Sequence, residues 1–350
     1  MLNALKPLNL FAAFAPAVLI VTAQVVCYPL LTLLYGEIGL TEILILTAIY
    51  SSMAAGQLKF FSQKTIAALG LVTGTALALF GLYFSNLVLF FIKSFPGRAG
   101  LTGVFVLFIF LAGQVLLKGV YDKNAFNRNY TVINFFAFFT VIAVTLMLPQ
   151  AGFSSVFIFA GALLCLLSSE NSGFYRDQPR KQLELNAESM KSIGLGLVSA
   201  GFVSCYFRII YIGIYPTGYE FNVYLALSFL FLAAASGAHH AVRRALSAHA
   251  SVLAGIGLGV ASLFFFFGGS APETFFFDPL RLFLSLPHPI QTCWFYTIGF
   301  CAFFLMPYVF FAGIIPLREA EAKGINHMFF CSVGNVAGFL LFGFVFIDWG

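Results

Sequence analysis

Apolar runs of about 20 residues, the length that crosses a bilayer as a helix, recur from one end of this chain to the other. Short polar turns separate them. The pattern predicts eleven spans, at 10–34, 39–58, 65–90, 101–119, 130–148, 152–168, 192–214, 221–238, 248–268, 291–315 and 326–347. A membrane β-barrel would instead show alternating segments of about ten residues, and none occurs. The one sustained polar stretch, 169–191, reads as a cytoplasmic linker with a short amphipathic helix around Gln182–Lys191 lying on the membrane surface. It divides a six-span N-terminal half (1–168) from a five-span C-terminal half (192–350). Gly350 then ends on the outer side, one span short of a twelve-span plan.

The two halves share a pattern. Gln24 to Lys64 and Val203 to Arg244 each carry an aromatic, apolar helix end, a short turn with Gly and Glu, a second apolar helix closing in small residues at Gly56 or Gly237, and a basic tail. An offset of about 180 residues, half the chain, marks two related halves rather than a short-period solenoid. Because six spans separate the copies, the second should have the same orientation as the first. The fold class expected is therefore an all-α membrane protein of about 11 transmembrane helices in two related halves, with a major facilitator-like plan.

Composition agrees, with 61% hydrophobic and 9% charged residues against roughly 25% charged in soluble domains. The formal charge of +5 is explained by topology. With the N-terminus inside, 14 of the 18 Lys and Arg residues fall on the cytoplasmic side, leaving only Lys93, Arg98, Arg208 and Arg281 elsewhere. The first run is too long for a signal-peptide core and shows no small-x-small cleavage site, so it stays as a span. Six singly placed cysteines lack the spacing of a zinc or redox pair and are expected to act as small apolar residues.

Candidate chemistry is sparse. Gly194-Leu195-Gly196 and the Gly255–Gly259 run lie inside spans, not between a strand and a polar helix start, so they fit close helix packing rather than a phosphate cradle. The same holds for Gly70/Gly74 and Gly334/Gly338. Arg208 sits within span 7, where a central Arg costs roughly 2.5–3.5 kcal/mol on insertion scales. Two roles fit it: facing the bundle interior at a binding site, or snorkelling to the outer surface to pair with Glu220. Glu42, about one turn into span 2, could bind a cation or carry protons, or be held by the helix dipole. Gln24 and Gln114 are uncharged polar residues at membrane depth, open to substrate or to interhelical hydrogen bonding. His239-His240, beside Arg243-Arg244, suits a basic interfacial cap. Nothing pairs a nucleophile with a base, gathers metal ligands or forms a nucleic-acid surface, so neither enzyme activity, cofactor, metal nor nucleic-acid partner is expected.

Gln24, Val25, Val26, Leu30, Leu31 and Gly36, followed by a helix ending in SSMAAGQL, resemble the start of the membrane domain of membrane-bound spermidine synthase-like proteins. Cys27 and Pro29 replace that family's Trp and Arg, whereas the second copy keeps Arg208 at the Arg position with Tyr206 in the Trp place. Gly334-Asn335-Val336-Ala337-Gly338 is similar to the family's Asn-x-x-Gly-rich last conserved helix. Full members continue into a soluble aminopropyltransferase domain, and with no such domain here that activity is not implied. The Gln57–Phe61 loop also lacks the Asp-Arg pair of the major facilitator signature. Two functions remain: a transporter-like protein handling a small or amphipathic solute between its halves, with Arg208, Glu42, Gln24 and Gln114 as substrate-binding candidates, or a membrane scaffold docking a separate soluble enzyme through 169–191. The partners expected are the bilayer, a small solute in the first case and a cytoplasmic protein in the second. A polar pocket between the halves favours transport; a dry, Phe-packed interface favours the scaffold.

Overall fold

The computed structural model describes residues 10–35, 38–58, 62–84, 93–120, 126–169, 185–214, 222, 225–234, 236–237 and 325–342. Spans 9 and 10, the 268–289 loop, His239-His240 and the Gly255–Gly259 run lie outside them. The described elements are helical, as a chain in lipid requires when every backbone group must be paired within its own segment. They are α1 (Leu10–Thr22), a π-helical turn (Ala23–Cys27), α2 (Tyr28–Tyr35), α3 (Ile38–Leu58), α4 (Gln63–Leu82), α5 (Phe95–Val120), α6 (Phe126–Ser169), α7 (Ala187–Ile214), α8 (Leu225–Ala234) and α9 (Ile325–Leu340). Among the described residues four helical stretches are long and apolar enough to cross a membrane. Large apolar side chains such as Val72 and Leu146 point outward, where lipid replaces water.

At three helix starts a polar side chain caps the helix ahead of the expected apolar run. Ser94 Oγ accepts from Gly97 N at 3.2 Å, so the fourth span starts at Phe95, six residues earlier than its hydrophobicity suggests. Asn186 Oδ1 accepts from Ser189 N at 2.9 Å, which starts α7 at Ala187 and draws the end of the expected linker into the helix. Ser62 does the same for α4 through Thr65 N at 3.1 Å. These are N-caps, each satisfying one of the orphan donors of a first turn. Spans 5 and 6 are the two arms of α6, interrupted at Gly152, whose φ of 70° lies in the left-handed region that glycine enters without penalty.

Small residues set the closest crossings. A Cβ at Gly74 would lie 2.7 Å from the Gly161 carbonyl oxygen, and one at Gly81 2.7 Å from that of Ser154, so α4 and the second arm of α6 meet backbone to backbone. At the α7–α9 crossing Gly196 abuts the Cys331 carbonyl, Gly334 abuts that of Ile193, and a Cβ at Gly338 would lie 2.7 Å from Ala200 Cβ. Gly194, beside Gly196, meets open space. Phenylalanines fill the N-terminal half: Phe80, Phe105 and Phe157 pack with centroids 5.2–5.8 Å apart.

Four further pairings follow a pattern. Span 1 packs on span 5 (α1 on the first arm of α6, through Phe14 and Phe136 at 5.9 Å) and span 7 on span 11 (α7 on α9). Span 2 packs on span 11 (α3 on α9, through Tyr50 and Phe339 at 5.7 Å). Span 5 meets span 8 where Thr131 Oγ1 and Ser236 Oγ share a hydrogen bond of 2.5 Å. Shifting every span by six turns the first pairing into the second, and the third into the fourth.

Candidate functional site

The π-helical turn in the first span has a local cause. Pro29 has no N–H to give the carbonyl of Val25, and its ring crowds that carbonyl. The chain widens just upstream, at Ala23–Cys27, the usual form in which an inserted residue is absorbed inside a helix. Gln24 sits in this turn and lines a partly open cavity of about 200 Å³ between two groups of helices. Its Oε1 is buried and accepts no hydrogen bond among the described residues.

The rest of the cavity is built from both sides. Tyr50 and Met53 of α3 and Tyr130 and Asn134 of α6 form one wall; Ser199 of α7, Phe229 of α8, and His327, Cys331 and Asn335 of α9 form the other. Asn134 Nδ2 donates to the Tyr130 carbonyl at 2.8 Å, and Asn335 Nδ2 lies 3.8 Å from Cys331 Sγ. Each carboxamide is thus tied through its nitrogen to the previous turn of its own helix. Ser192 Oγ donates to the Glu188 carbonyl at 2.9 Å and lies 2.6 Å from His327 Nδ1. The hydroxyl has one proton, so its oxygen accepts from Nδ1–H, and the imidazole proton is placed on Nδ1. The described lining contains no carboxylate, Lys or Arg.

The four expected site residues divide. Gln24 lines the cavity. Gln114 does not: it is buried in the α3–α5 crossing, where its Nε2 donates to Ser52 O at 2.5 Å and to Ser52 Oγ at 3.0 Å while Ser52 Oγ donates to the Phe110 carbonyl. Gly56 makes room for it, since a Cβ there would lie 2.5 Å from Gln114 Oε1. Glu42 and Arg208 belong to α3 and α7, but their side chains lie outside the described residues.

Asn134, Asn335 and His327 were not expected. A signal for the asparagines exists: Thr131-Val132-Ile133-Asn134-Phe135-Phe136-Ala137-Phe138 and Ser332-Val333-Gly334-Asn335-Val336-Ala337-Gly338-Phe339 keep a hydroxyl, Val, Asn, a small residue and Phe in register. The second repeat therefore carries its polar residue into the cavity from each half.

Helices, lipid-facing apolar surface and a cavity between the groups of spans define an all-α membrane protein. No family model matches the chain, and no curated protein matches it. Its fold is similar to the crystal structure of a bacterial homologue of the iron transporter ferroportin in an outward-facing state with soaked iron, with a TM-score of 0.50 at 10% identity over 97% of this chain and 91% of that one. At that identity the likeness is one of fold.

Proposed function

We propose that this protein is a membrane transporter that carries a small or amphipathic solute through the cavity between two related halves, 1–168 and 192–350, with its N-terminus in the cytoplasm. The observation that carries the reading is the cavity, whose polar groups come from spans 1, 2, 5, 7 and 11. Polar side chains at membrane depth are costly and cluster where a solute or water passes. A docking scaffold needs no such opening, and the phenylalanine packing that would favour one is seen inside the N-terminal half. The symmetric pairing of spans supports the two halves. Likeness of fold to a transporter supports the activity, and the 14-to-4 distribution of basic residues supports the orientation. The iron soaked into the ferroportin homologue belongs to that protein; no three His, Cys, Asp or Glu side chains gather among the described residues here. Arg208 and Glu42 stay in the proposal as charged contributors from spans 7 and 2.

Accessibility tests it. In a background without native cysteines, Gln178→Cys and Pro272→Cys should be labelled by membrane-impermeant thiol reagents from opposite sides of sealed vesicles. Ser199→Cys should be reached from each side in turn. Labelling of Ser199→Cys from neither side, or from one side only, would remove the transport reading.

A further inference from the structure

Among the cavity's polar groups the two asparagines are the pair that a ligand could bridge. They occupy equivalent places of the second repeat, are each 5% exposed, and enter the cavity from opposite halves. The hydrogen bonds described for them leave through nitrogen, toward Tyr130 and Cys331, and no described donor reaches either carboxamide oxygen. Gln24 adds a carbonyl oxygen that is buried and unpartnered among the described residues. An acceptor left in this state in an apolar surround is unfavourable until a donor reaches it. Apolar side chains of Met53 and Phe229 line the same space.

We propose that Asn134 and Asn335 form a two-sided clamp for a small solute with an apolar body that presents at least two N–H or O–H donors. This inference rests on reading the cavity as a solute site. At about 200 Å³ the cavity is somewhat larger than the roughly 150 Å³ that holds benzene and smaller than the roughly 300–1,000 Å³ of drug-sized sites. A single ring or a short chain with its donors fits. Because a ligand held by both asparagines touches both halves, binding couples them.

The test uses the full chain in lipid nanodiscs and matched probes. Benzylamine, an ammonium at neutral pH, and resorcinol, a neutral diol, should bind; benzoate and 1,3-dimethoxybenzene, of similar body but without donors, should not. Asn134→Leu and Asn335→Leu should each weaken donor binding by about tenfold or more. The near-isosteric Asn134→Asp and Asn335→Asp check the site if a leucine variant fails to fold. They also sort the donors: a site for cations should bind benzylamine more tightly in the aspartate variants, and a site for neutral donors should leave the resorcinol-to-benzylamine ratio unchanged. Binding of benzoate or dimethoxybenzene as tight as that of the donors would overturn the clamp. So would failure of both donors to bind, or wild-type binding in all folded variants. Donor binding that needs both asparagines, with Ser199→Cys reached from one side only, would leave the clamp standing and remove transport. Access from both sides with binding indifferent to the asparagines would do the reverse.

Discussion

Gln24 and Gln114 carry the same side chain at membrane depth in different surroundings. The carboxamide oxygens of both are buried without a described partner, but the Gln114 nitrogen ties α3 to α5 through Ser52. Gln114→Ala should therefore lower stability by about 1 kcal/mol, within the range for interhelical hydrogen bonds in membranes, seen as a lower unfolding midpoint in detergent. Gln24→Leu should leave that midpoint unchanged or raise it, because it removes an unsatisfied acceptor. Equal losses in both would make Gln24 a packing residue. That both were polar intrusions into the membrane was legible in the sequence. Which one met the cavity was not, because the π-helical turn ahead of Pro29 inserts a residue and rotates the faces of the span relative to a uniform helical wheel. Glu42 and Arg208, the charged candidates, were conspicuous for their cost; Asn134 and Asn335 are cheaper and stood out less.

The described spans were legible as elements because the bilayer fixes their length, while three of their starts were set by the caps at Ser62, Ser94 and Asn186, which lie outside the apolar runs. The repeat of spans 1 and 2 showed at one offset. The repeat of spans 5 and 11 did not, because the sequence between the two matching segments is about 20 residues longer than the first offset allows, which shifts the register. Glycine pairs announced close packing without saying which member did it. At the α7–α9 crossing the answer is Gly196, Gly334 and Gly338, where an added Cβ meets a carbonyl on the facing helix, and not Gly194. Gly196→Ala and Gly334→Ala should each cost about 1–3 kcal/mol, as overpacking of a tight contact does. They should reduce the yield of folded monomer on gel filtration. Gly194→Ala should be neutral or slightly stabilising, since alanine is the better helix former. A Gly196→Ala variant as stable as Gly194→Ala would place the crossing elsewhere.

At the scale of the whole molecule, the described residues of the two groups of spans meet where α3 packs on α9 and where the first arm of α6 lies beside α8, with the cavity between them. A cavity that opens alternately to the two sides requires at least one seam to part in each cycle. The seam at Thr131 and Ser236 is the more easily parted, since a hydroxyl pair contributes only about 1 kcal/mol and the serine also donates to the Ala233 carbonyl at 3.0 Å. Tethering it separates binding from movement. With Thr131→Cys and Ser236→Cys in a background without native cysteines, side chains 2.5 Å apart in the parent chain are close enough for a disulfide, which needs Cβ atoms about 3.5–4.5 Å apart. Oxidation should then confine labelling of a third cysteine, Ser199→Cys, to one side of sealed vesicles, and reduction should restore access from the other. Donor probes should still bind to the oxidised protein, because neither tethered residue lines the cavity. If access from both sides survives complete cross-linking, the halves do not separate at this seam, and the contact of α3 with α9 is the described one left to part.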